Sequence, residues 1–179
     1  MKQIIQIILS FALLFSLTGC APKTNQKASE STDAPSSSTS HAVYEMFSLA
    51  FIDTDQKRIV KEEQELRIAE NIPRERLILD ALKMGPKSNQ LTSPIAESAV
   101  IHSIKTVSGL CTIDMSAEFL NTTDENNETA NLMLHAIVQS LCELDTIQQV
   151  KLNIDGNTTA KINDNIDLSQ PISPDPANI

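Results

Sequence analysis

An α+β fold, with one mixed or antiparallel sheet covered on one face by two helices, is what the sequence predicts. Three observations carry that expectation. Short apolar or alternating runs occur at Val43–Ile52, Val100–Val107, Leu110–Met115 and Gln149–Ile154. Two longer stretches, one after Pro73 and one after Thr123, instead carry apolar residues at helical spacing. The chain has 179 residues, which suits one domain.

The elements follow in the order β-β-α-β-β-α-β. Val43 to Ile52 is mostly apolar and reads as the first strand, and Asp53-Thr54-Asp55-Gln56 supplies a turn. Arg58 to Ile68 alternates loosely as a second, more solvated strand. Ile72-Pro73 opens a helix, since proline is tolerated in a first turn that has no N–H partner to lose. Its apolar stripe is Leu77, Ile78, Ala81, Leu82 and Met84, and Gly85-Pro86 stops it. Ser108-Gly109 joins two strands as a two-residue hairpin, pairing Thr106 with Cys111, Ile104 with Ile113 and His102 with Met115. Thr122-Thr123-Asp124-Glu125 resembles a capping box at the start of a second helix that runs to about Leu144. That helix is expected to bury Ala130, Met133, Leu134, Ile137, Val138 and Leu141. Gln149 to Ile154 closes the sheet, and Ile162 to Leu168 is a candidate edge strand.

The N-terminus is an address. Lys2 precedes an apolar run from Ile4 to Leu17, too short for the ~20 residues that span a bilayer. It suits an export signal covering residues 1–19. The run ends in Leu17-Thr18-Gly19-Cys20, the bacterial lipobox pattern, in which the cysteine thiol accepts diacylglycerol and becomes the new N-terminus. Two acyl chains anchor stably at about 0.8 kcal/mol per buried CH₂. Residues 20–42 then hold the lipidated Cys20 and a Ser/Thr-rich tether. Such a composition cannot bury enough apolar surface to offset its ordering entropy, and it reaches roughly 25 Å on flexible-linker scaling. The folded domain is expected over 43–171, with 172–179 as a disordered tail.

Composition excludes several functions. Fourteen Lys+Arg face 23 Asp+Glu, a net charge of −9, which opposes nucleic-acid binding because phosphate contacts need a basic face. Trp is absent and Tyr and Phe total six, which leaves few rings for stacking on sugars. No GxSxG or HExxH motif is present. His135 and Cys142 on one helix are separated by a rise of ~10 Å. His102 and Cys111 stand about 13 Å apart along the hairpin at ~3.3 Å per residue. Asp53-Thr54-Asp55 begins like a calcium loop, but Arg58 occupies the glycine position and Gln64 the final glutamate position. Catalytic residue, cofactor and metal are therefore all expected to be none. Cys111 and Cys142 read either as a disulfide of an exported protein or as buried thiols serving as small hydrophobes.

Several motifs, taken in order, identify a family. Leu82-Lys83-Met84-Gly85-Pro86 is similar to the Leu-x-x-Gly-Pro that closes the first helix of GerMN (sporulation and germination) domains. Ile104 to Phe119, with Gly109, Thr112-Ile113-Asp114-Met115-Ser116 and Glu118-Phe119, resembles that family's hairpin. Ile137 to Leu141, followed by Val150 to Gly156, resembles its second helix and closing strand, and Ile166 to Pro171 its tail. Ser108 replaces the usual Asp of the hairpin turn, and Cys142 a common Thr. The resemblance implies a fold like the ring-building wedges of secretion-type channels, and a lipoprotein or membrane protein of envelope or spore assembly. It implies no catalytic triad.

The expected role is a non-enzymatic interaction module on the extracytoplasmic face of the cell membrane. Its partners are the bilayer, through diacylglyceryl-Cys20, and other envelope or membrane proteins, with a homo-oligomer left open. A solute- or wall-polymer-binding lipoprotein is the alternative. The candidate interaction surface is Ile101, Lys105, Val107 and Leu110, which the expected hairpin register places together on the face away from the core. Cys20→Ser, or globomycin-type inhibition, should leave an unprocessed precursor that keeps residues 1–19. Mass spectrometry finding an unmodified Cys20 in the mature protein would refute the anchor.

Overall fold

Val43–Asp53 (β1) and Arg58–Ile68 (β2) pair antiparallel without a break, from Val43 opposite Ile68 to Asp53 opposite Arg58. They come first in a computed structural model that describes residues 42–123, 127–162 and 165–175. The turn between them is held by Asp53, whose Oδ1 accepts the Gln56 amide at 3.0 Å, and by Lys57 at φ 51°. The acidic start of the supposed calcium loop thus serves its own turn.

Helix α1 spans Arg74–Met84. Pro73 sits one residue earlier than expected, at the N-cap, and its carbonyl accepts the amides of Arg76 and Leu77. Gly85, at φ 98°, caps the other end by donating to the Ala81 carbonyl, a conformation that a side chain would strain. Ile78, Leu79, Ala81 and Leu82 are buried, whereas Met84 is fully solvated.

Ile101–Val107 (β3) and Leu110–Met115 (β4) form the second hairpin. Ser108 and Gly109 both have positive φ, 50° and 86°, as a turn matching the twist of the strands requires. A short 3₁₀ segment, Ala117–Thr123, precedes helix α2, Asn127–Leu141. The capping box expected over 122–125 runs into residues 124–126, outside the described residues. Gln149–Ile154 (β5) then pairs parallel with β4, from Leu110 opposite Gln149 to Met115 opposite Ile154. Parallel neighbours need a long crossover, and α2 supplies it.

Two expectations are corrected. The strands do not join in one sheet: β1–β2, β3–β4–β5 and the tiny pair Lys161–Ile162 (β6) with Ile166–Asp167 (β7) are separate ladders. The edge strand expected over 162–168 is that pair. The supposed tail is also structured as far as Asp175. Ile172 exchanges two backbone hydrogen bonds with Val150, at 2.9 and 2.7 Å, and Gln139 donates to the Asp175 carbonyl at 3.1 Å.

The largest contact between β1–β2 and the rest is made by α2. Its Ala130, Leu134, Ile137, Val138 and Leu141 belong to the main core, with Phe47, Leu49 and Phe51 from one face of β1. Its Leu132, Met133 and Ala136 pack with Ala50, Ile52 and Ile59 from the opposite face of the hairpin, in a smaller second core. Both faces of β1 meet one helix because α2 runs along the strand's edge. Ser140, 1% exposed, seals the contact: its hydroxyl accepts the Ala50 amide at 2.8 Å and donates to the Ala136 carbonyl at 2.8 Å. Ser140→Ala leaves a buried amide without an acceptor and should cost about 1–3 kcal/mol. Urea unfolding would read this as a lower midpoint at unchanged slope.

Candidate interaction surface

The hairpin register decides which residues face solvent. Thr106 opposes Cys111 and Ile104 opposes Ile113, as the two-residue turn requires. Beyond them the strand bulges at His102, so that Ser103 pairs with Asp114 and Ile101, not His102, pairs with Met115. A single inserted residue exchanges the faces of everything before it. Ile101 is therefore a core residue, 7% exposed, and leaves the candidate surface.

Lys105 and Val107 remain exposed, Val107 at 54%, and Leu110 is half-buried. Registry aligns Lys105 with Thr112 and Lys151, and Val107 with Leu110 and Gln149, on the same face of three strands. The end of the chain trims this face. Lys151 Nζ donates to the Ser169 carbonyl at 2.9 Å, and the Gln149 side chain bonds Ser173 Oγ at 3.1 Å.

The residues that carry the family pattern meet at the far end of this sheet and grip one another. Asp114 Oδ1 accepts the Gly156 amide at 2.8 Å, and Asp155 Oδ2 accepts the Ala117 amide at 3.2 Å. The Asp155 amide donates to the Met115 carbonyl at 2.8 Å. Ser116 exchanges bonds with Val100, its hydroxyl accepting the Val100 amide at 3.0 Å and its own amide donating to the Val100 carbonyl at 2.8 Å. Asp155 and Gly156 both adopt positive φ, 47° and 76°. Each carboxylate thus caps the backbone that leaves the other's strand. The bulged His102 joins here, its Nε2 3.1 Å from Asp155 Oδ1, a contact with no signal in the linear sequence.

The cysteines and the remaining histidine lie elsewhere. Cys111 is fully buried and Cys142 partly so, and both are free thiols. Burial raises both pKa values, Cys142 to about 11 with added repulsion from Cys111 and Glu143, so neither is a thiolate at neutral pH. His135 lines an open cavity with Lys57, Glu128, Asn131 and Leu132. His41 and Cys20, the expected lipidation site, fall outside the described residues.

The described residues thus form two hairpins bound by a crossover helix, with this carboxylate clasp at one end. The family model described as "Germane: Sporulation and spore germination" matches residues 48–160, and the chain belongs to that family. No curated protein matches the sequence. Among solved structures, the tandem GerMN domains of the sporulation protein GerM from Bacillus subtilis align with 73% of this chain, at 22% identity and TM-score 0.57. The chain spans only 45% of that tandem. The first GerMN domain of the same protein gives TM-score 0.54 at 22% identity, over 73% of this chain and 95% of that one. A candidate lipoprotein from Clostridium perfringens gives 0.52 at 16% identity, over 74% of this chain and 87% of its own. At these identities the structures establish the fold.

The clasp identifies Asp114 and Asp155 as scaffold. Asp114→Ala and Asp155→Ala should each lower stability by about 1–2 kcal/mol, the worth of a charge-assisted cap. The double variant should lose less than the sum, because the two caps close one corner. Urea titrations of the three variants measure it.

Proposed function

We propose that this protein is a lipid-anchored GerMN module that works without catalysis, docking on other envelope proteins during spore assembly or germination. The observation that carries the reading is the sequence of parts: a lipobox ending at Cys20, a Ser/Thr-rich tether, then a GerMN domain. The anchor places the domain on the extracytoplasmic face of the cell membrane. Among the described residues no helix is long and apolar enough to cross a membrane, which suits attachment through the lipid. The candidate lipoprotein with the same fold supports that arrangement.

Docking uses the outer face of the second hairpin, with Val107 as the apolar contact and Lys105 and Leu110 beside it. A small apolar centre with a polar rim is the usual anatomy of a docking patch. The site chemistry supports a binding role over an enzymatic one, since His102 is spent on Asp155 and both thiols are protonated and at least partly buried.

Val107→Asp and Lys105→Glu, both at exposed positions, should melt like the parent. Each should reduce crosslinked capture of the envelope partner by about tenfold, a hot-spot loss near 1.4 kcal/mol. Leu110→Asp tests the half-buried flank, and its melting temperature reports whether that side chain is core. Undiminished capture by both exposed variants would place the interface elsewhere.

A further inference from the structure

The first half of β1 is a strand edge that the other described residues leave open. At the other end of the strand the edge is occupied. Ile52 exchanges backbone hydrogen bonds with Thr92 at 3.0 and 2.8 Å, and the Ala50 amide is held by Ser140. The even-numbered residues therefore point their backbone groups away from β2. The ladder is unbroken, so alternation turns those of Tyr44 and Met46 the same way. No hydrogen bond to these groups is found among the described residues. Their side chains are also unusually bare for their size, Tyr44 at 54% and Met46 at 57% exposure.

The chemistry around this edge is acidic. A cleft of about 540 Å³ lies between Glu45 on β1, Arg74 and Glu75 at the start of α1, and Glu143 and Asp145 after α2. Arg74 is committed to Glu45 at 2.8 Å, and Lys61 to Glu143. Four carboxylates thus outnumber the two cations that answer them. On β2, Glu63 and Glu65 stand opposite Ser48 and Met46, adding two more on the hairpin face that carries Tyr44 and Met46.

We propose that this edge accepts an extended, Lys/Arg-bearing segment of a partner protein as an added strand. The segment's backbone pairs with Tyr44 and Met46, its alternate apolar side chains cover those two, and its cations meet Glu65, Glu143 and Asp145. Strand addition draws affinity from main-chain hydrogen bonds and selectivity from alternate side chains. The carboxylates select the sign of the charge. The site belongs to the first hairpin, on a different ladder from Lys105 and Val107, and stands whether or not the second hairpin docks a partner.

The test is fluorescence anisotropy with the full lipidated chain in detergent micelles and three labelled nine-residue peptides. One alternates Lys with Val, one alternates Glu with Val, and the third is the Lys/Val peptide N-methylated at alternate amides. The Lys/Val peptide should bind, more weakly as salt rises, and the Glu/Val peptide should not. N-methylation should weaken binding by about tenfold or more, the loss expected for one or two hydrogen bonds. Asp145→Lys and Met46→Pro should do the same, while Met84→Ser, on a remote exposed side chain, should bind like the parent. Proline suits an unpaired edge position, and should Met46→Pro unfold, Asp145→Lys and the methylated peptide still decide. Equal binding of methylated and unmodified peptides would reduce the site to a charged surface and overturn strand addition, as would the absence of Lys/Val binding. A dimer of the parent chain that Met46→Pro abolishes would assign the edge to a second copy and overturn the partner reading.

Discussion

The hydroxyl of Ser140 sits where the two larger sheets of this domain are joined. A β-strand edge buried against a helix has amides with no ladder to enter, and each unpaired one costs on the order of 1–3 kcal/mol. Here Ala50 finds its acceptor in a side chain that itself donates to the Ala136 carbonyl one helical turn earlier. Serine bonding back to its own helix weakens that helix slightly, so such a residue inside α2 has no local justification. It is explained by the strand. The constraint spreads from there. Because α2 must lie on the edge of β1, its flanks meet both faces of the strand, and two cores form in place of one. The same helix is the crossover that lets β5 run parallel to β4. Gln139, its neighbour, is 4% exposed and holds the Asp175 carbonyl, so the helix also fixes the returning end of the chain.

The clasp at the opposite end gathers Asp114, Ser116, Asp155 and Gly156, residues that the linear motifs single out, and gives them a structural task. Two carboxylates and one serine satisfy the backbone where β4 and β5 end and where the chain enters β3. Asp155 tolerates a positive φ better than most side chains, since its short polar group bonds locally, and Gly156 has no side chain to clash. A second tie of this kind holds β2. Burial works to raise the pKa of Glu62, but the amides of Lys87 and Ser88, the Gln64 side chain and the charge of Lys87 outweigh it and lower it. Its contribution is therefore complete above the ordinary carboxylate range and fades as pH falls through its lowered value. Acidic residues are abundant in this chain, and several of them are structural.

Local periodicity made the elements legible, and non-local contacts were not. Turn chemistry at Ser108-Gly109 located the second hairpin and its first two pairs, because a two-residue loop leaves no freedom of register. The same argument failed at Ile101, since a bulge obeys no sequence rule strong enough to read in one chain. The apolar stripe of α2 located its core face, but it missed Leu132 and Ala136, which face the second core, and Ser140, which is polar. A helix buried on more than one side has no clean stripe. The assumption of one sheet failed for the same reason: alternation reports that a strand has a buried face, not which strand lies beside it. The His102–Asp155 contact and the anchoring of residues 172–175 are likewise properties of the folded chain.

Every strand edge in such a fold is a liability, and comparing the edges shows how each is managed. Along β2 the outward positions include Lys61, Glu63, Glu65 and Arg67, a charged fringe that another strand could join only by burying it. Lys87 adds a bond from its ammonium to the Glu63 carbonyl. The edge of β3 is dressed by α1, with Arg76 on the Ile101 carbonyl and Glu75 on the Thr106 hydroxyl. The edge of β5 is paired by Ile172. On β1, Thr92 and Ser140 cover Ile52 and Ala50 and then stop. The remainder of that edge carries an apolar pair, Tyr44 and Met46, at positions where charge or proline would have closed it at little cost. Among the described residues, three edges of the two larger ladders carry protection and the fourth is left half bare beside a cleft of carboxylates. A fold that meets this hazard by four different means has the means to meet it at Tyr44, and the open edge is best understood as a surface kept for a strand from outside.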